Sequence, residues 1–133
     1  MIVGFSLSGE PPNPTDESAR VIIGFYVDKK NTVMVSSVLQ AFAGAVFIFF
    51  GGYLFKTLRA GAESTAIVTL AGTVAFALGM ALDGTIKMAL ADTADDLELS
   101  AVQALSALWH SRLLPFSMGL FVFLVGFGVA IVR

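Results

Sequence analysis

Between Val33 and Phe55 the chain carries no charged residue, and its strongly polar side chains are only Ser36, Ser37, Gln40 and Tyr53. At about 1.5 Å of rise per residue a helix over this run reaches roughly 35 Å, against a bilayer hydrocarbon core of about 30 Å. A helix in the core of a water-soluble protein shows a polar face, and this run has none. It therefore predicts a transmembrane helix over about 33–55. Two further runs follow the same rule. Thr65 to Leu82 is free of charge, and its helical pattern continues past Asp83 and Lys87 to about Leu90, giving a second span over about 64–90. The third runs over 113–132 and is closed by Arg133. Hydrophobic residues make up 56% of the chain and charged ones 14%, well below the roughly 25% charged of soluble domains. The fold class expected is all-α: an integral membrane bundle of three antiparallel transmembrane helices with short interfacial amphipathic helices. The domains expected are an N-terminal loop and short helix over 1–32 and a transmembrane domain over 33–133.

The segments between the spans are brief. Met1 to Phe5 is apolar but too short for a signal peptide, and reads either as an interfacial start or as the tail of an earlier membrane helix. Gly9, Pro11, Pro12, Asn13 and Pro14 mark a loop. Asn13 can cap a following helix, with Pro14 in its first turn and Asp16 and Glu17 at its positive end. Ala19, Ile22, Ile23 and Tyr26 then recur at helical spacing opposite Arg20, Asp28, Lys29 and Lys30. This short amphipathic helix lies on the membrane surface or packs on neighbouring helices, with Tyr26, Lys29 and Lys30 read as interfacial anchors. Lys56 to Glu63 is a short connector with Gly61 as helix terminator, so the second span returns beside the first. Ser100 to Trp109 is helical again, and at Pro115 either a new helix begins or a longer helix from about Leu97 kinks, the kinked or broken helix being the favoured reading.

Membrane helices associate by close packing, so small residues mark their contact faces. Ser37, Gly44 and Gly51 recur every seven residues on the first span, Thr65, Gly72 and Gly79 on the second, and Gly119 and Gly126 on the third. Such an interval holds one helix face and suits left-handed antiparallel packing. The competing reading is that these glycines line a passage. Phe42, Phe47, Phe49, Phe50, Phe121 and Phe123 are expected to face lipid or fill gaps.

The candidate chemistry is a polar cluster of Asp83, Lys87, His110 and Arg112. Asp83 and Lys87 stand one helical turn apart, acid first, the favourable order for an ion pair. His110 and Arg112 fall at the same depth if the last helix runs back beside the second. One use of such a cluster is proton or ion handling through Asp83 and His110. The plainer one is an interfacial ion network with Trp109 as a belt residue and Lys87 and Arg112 reaching to headgroups. The absence of cysteine excludes thiolate sites, and a lone histidine excludes multi-histidine zinc sites. Asp92, Asp95 and Asp96 lack the ligand pattern of a calcium loop. No phosphate-binding or dinucleotide signature is present and a net charge of −2 gives no nucleic-acid footprint, so no cofactor, no nucleic-acid partner and no enzymatic activity are expected.

Gly4-Phe-Ser-Leu-Ser-Gly-Glu-Pro-Pro12, Gly24-Phe-Tyr-Val-Asp28 and Leu105-Ser-Ala-Leu-Trp-His110 ahead of an apolar span form a combination. Together they resemble a group of uncharacterised multi-pass membrane proteins frequent in actinobacteria. The resemblance covers nearly the whole chain and implies a bacterial inner membrane with the N-terminus outside. The chain lacks most of that group's first span and any span after Arg133, which implies a partial member. The group supplies no function. The function expected is that of a non-enzymatic structural or accessory membrane protein, held in a lipid bilayer and packing with copies of itself or with other membrane helices. The alternative is a small transporter or channel component.

Overall fold

A helix satisfies its internal backbone N–H and C=O groups within one segment, so long apolar runs that cannot rely on water become helices. The computed structural model describes residues 11–13, 18–93, 96–111 and 113–132, the side chains of 113–115 excepted. Among the described residues the regular structure is all helical: α1 Ala19–Asp28, α2 Lys30–Leu58, α3 Glu63–Thr93, α4 Leu99–His110 and α5 Leu113–Val132. Helix α2 overruns its charge-free stretch by about a turn at each end, and α3 runs on well past Leu82 to Thr93, because a charged residue ends an apolar run without ending a helix. The connector turns back at Leu58, whose carbonyl accepts from the N–H of Gly61 at 3.2 Å and of Ala62 at 3.0 Å. The expected helix start at Asn13–Pro14 falls on residues 14–17, outside the described set; the described helix begins at Ala19 after Ser18. The last break comes upstream of Pro115. Helix α4 stops at His110, and Pro115 is the third residue of α5, where a missing N–H costs no helical bond.

Among the described residues two helices, α2 and α3, are long and apolar enough to cross a membrane. The third predicted span falls on α5, whose fully described part, Phe116–Val132, is apolar. Only 22% of the apolar window of α2 and 44% of that of α3 is buried within the chain.

The chain divides into two compact units, Met1–Gln40 with Leu82–Arg112, and Ala41–Ala81 with Leu113–Arg133. In the first, α1 and α4 pack on each other. Helix α1 buries Ala19, Ile22 and Tyr26, and α4 buries Val102, Ser106 and Trp109, so each helix offers one face. Ile22, Tyr26 and Val102 join Val33 of α2 and Leu90 and Ala91 of α3 in one apolar cluster. Of the two placements open to α1, the packed one is found, and Tyr26 is no interfacial anchor: it is fully buried in this cluster. Arg20 and Asp28 on the other side of α1, and Lys29 just after it, are exposed.

The second unit is built on small residues. Gly51 of α2 faces Thr73 of α3 so closely that a Cβ there would overlap the threonine side chain. Gly72 of α3 meets the backbone of Phe123 in the same way, and a Cβ on Gly119 of α5 would come within 2.5 Å of the Phe76 nitrogen. Gly44 lies against Ala77, Gly79 against Phe116 and Gly126 against Thr69. Antiparallel order follows, since rising numbers on α3 meet falling numbers on α2 and on α5. Thr69 and Thr73 are buried, yet their hydroxyls return to the carbonyls of Thr65 and Thr69 at 2.9 and 2.8 Å, leaving methyl groups for packing. Phe47 packs at a steep angle against Phe76 and edge-on against Phe123 inside the unit, whereas Phe42, Phe49, Phe50 and Phe121 are exposed.

Candidate functional site

The polar centre of the first unit is built on one turn of α3. Asp83 and Lys87 share a helix face, and Lys87 Nζ stands 3.2 Å from Asp83 Oδ2. Both are buried, at 4% and 7% exposure. From α2, the Gln40 side-chain amide donates to the same carboxylate oxygen. From α4, the Trp109 indole lies under Lys87 Nζ, 5.3 Å from the ring centroid. Three helices thus converge on one carboxylate–ammonium pair. Removing a carboxylate and an ammonium from water costs several kcal/mol each, and the pair is tolerable because each neutralises the other.

Two features of α2 and α3 let Gln40 reach. Ser36 and Ser37 return their hydroxyls to the Val33 carbonyl at 2.8 Å each, so they do not compete for Asp83. Gly84, beside Asp83, faces the Ser37 carbonyl, and a Cβ there would sit 3.2 Å from that oxygen. Sequence reasoning noted Gln40 as a polar residue of the first span but did not pair it, and it passed over Gly84. The available signal was the antiparallel register: with Gly51 opposite Thr73 and Gly44 opposite Ala77, Gln40 falls level with Asp83.

His110 stands apart from the pair. Its Nδ1 lies 3.0 Å from the Ser106 carbonyl of its own helix. A carbonyl only accepts, so Nδ1 carries the proton in that contact. Its ring meets Trp109 edge-on at 4.8 Å, and among the described residues it has no ion pair or hydrogen bond to Asp83 or Lys87. Of the four candidates the structure brings Asp83 and Lys87 together, and His110 meets the Trp109 ring that lies against Lys87. Arg112 lies outside the described residues. Trp109 is not a belt residue: it is buried. Asp92 is engaged elsewhere, with its carboxylate 3.1 Å from Lys30 Nζ.

No known family, curated protein or solved structure matches this chain. What the site can do rests on its own chemistry. One carboxylate oxygen is held by an amide and an ammonium, an arrangement that fixes helices in register. Among the described residues no group of three metal-ligating side chains is gathered.

Proposed function

We propose that this chain is a non-enzymatic membrane protein of structural or accessory role, with three antiparallel spans on α2, α3 and α5. The observation that carries this reading is the distribution of residue types. Large apolar side chains point outward, Phe49 at 81% exposure with Phe42, Leu78, Met118 and Phe121 beside it in character. Glycine, alanine and threonine lie inside, as at Gly51, Gly72, Gly119, Thr69 and Ala77. Water would favour the reverse arrangement, while lipid accepts it, because association between membrane helices depends on close backbone approach rather than on apolar burial. The resemblance described above favours a bacterial inner membrane.

A second reading, an ion- or proton-handling component using Asp83 and His110, draws on the burial of an ionisable pair within a long apolar helix. The engagement of Asp83 by Lys87 and Gln40 favours a structural part. One experiment separates the readings. The chain is expressed in bacteria, membranes are washed at alkaline pH, and the purified protein is reconstituted in vesicles. The accessory reading expects retention in the washed membranes and no change in proton or ion flux on Asp83→Asn or His110→Ala. A flux that either substitution alters supports the second reading, and release into the soluble fraction overturns both.

A further inference from the structure

We propose that Lys56 and Arg59 form a contact surface for anionic phospholipid headgroups at the connector between α2 and α3; the proposal rests on the membrane reading above. The side chains are graded along the end of α2. Phe49 and Phe50 are exposed, Tyr53 is exposed one turn further on, and Lys56 and Arg59 are exposed at the end. Over roughly 15 Å this passes from apolar to aromatic to cationic, the order of a hydrocarbon edge, an interface and a headgroup layer. The Arg59 guanidinium lies 5.9 Å from the Phe55 ring centroid, so its stem runs over apolar surface while its charge stays at the rim.

The charges at this end differ in state from others on the same two helices. Lys30 is bound to Asp92, and Lys87 is bound to Asp83 and buried. Among the described residues no carboxylate lies within ion-pair distance of Lys56 or Arg59. The nearby acid, Glu63, occupies the first turn of α3, where the positive helix end compensates it. The connector therefore presents two cations that no described carboxylate pairs with, directly above a lipid-facing apolar band. Phosphate esters in a bilayer meet both requirements at once.

The test reconstitutes the full chain in phosphatidylcholine bilayers carrying spin-labelled phosphatidylglycerol or spin-labelled phosphatidylcholine, and measures the motionally restricted fraction of each. Each basic residue near an anionic surface contributes up to about fivefold, so a preference for phosphatidylglycerol of up to about 25-fold is expected. The double substitution Lys56→Gln/Arg59→Gln should bring it close to one, and Arg20→Gln/Lys29→Gln should leave most of it. Equal association of the two lipids with the parent chain overturns the proposal, as does loss of preference on the second double substitution alone. Absence of a restricted component with either lipid refutes the membrane reading instead.

Discussion

Lys87→Met removes the ammonium from the buried pair and leaves the Asp83 carboxylate with Gln40 as its donor on Oδ2. Both partners are nearly inaccessible to water, so solvent cannot make up the loss. Removing one member of a buried pair costs about 3–5 kcal/mol, which is roughly 100-fold to several thousand-fold in the folding equilibrium. Asp83→Asn/Lys87→Met removes both charges. The amide retains a hydrogen bond to Gln40, and the thioether makes a favourable contact with the Trp109 ring. The double variant is expected within about 1 kcal/mol of the parent, because both charges of the pair are removed together. The assay is denaturant unfolding in detergent micelles, followed by helical circular dichroism and by Trp109 fluorescence, a local probe because the chain has one tryptophan. A double-mutant cycle then gives the coupling between the two positions. If the double variant is as unstable as Lys87→Met, or if the coupling is below about 0.5 kcal/mol, the pair is not a mutually neutralising unit and the reasoning fails.

Two more outcomes are open to simple measurement. Gly119→Ala should lose about 1–3 kcal/mol by forcing α5 off the Phe76 backbone, whereas Gly52→Ala, where a Cβ meets nothing, should gain up to about 1 kcal/mol of helix propensity; the same unfolding assay decides. The chain has no cysteine, so Ala60→Cys and Ser100→Cys can be labelled one at a time in intact cells with a membrane-impermeant maleimide. They should show opposite accessibility, and labelling of both from outside would sink the three-span topology.

The helices were legible because their cause is local. A charge-free run such as Val33–Phe55 or Leu113–Val132 has few alternatives, and the bounds of the expected spans are displaced by about a turn at most. The glycines on the seven-residue interval lie against a neighbouring helix, while Gly84, which also faces a backbone, lies off that interval and carried no such signal. Tyr26 and Trp109 were misplaced for a physical reason. An aromatic residue near a span end looks the same whether lipid headgroups or another short helix covers it, and only the packing of α1 on α4 decides. The grouping of Asp83 with Lys87 was readable from one turn of helix. The partner Gln40 was not, because it stands forty-three residues away and depends on the register of two helices. Depth alone put His110 near the pair; the direction of its ring followed from α4 and could not be had from spacing.

Helix α3 carries two unlike seams at once, Thr73 and Ala77 for α2, and Gly72 and Gly79 for α5. Deleting a single residue from its middle would swing everything beyond by about 100° and spoil both seams together. Lengthening or shortening by whole heptads keeps the two faces aligned. Variation in the length of this protein should accordingly accumulate in its connectors, while α3 changes, if at all, in steps of seven.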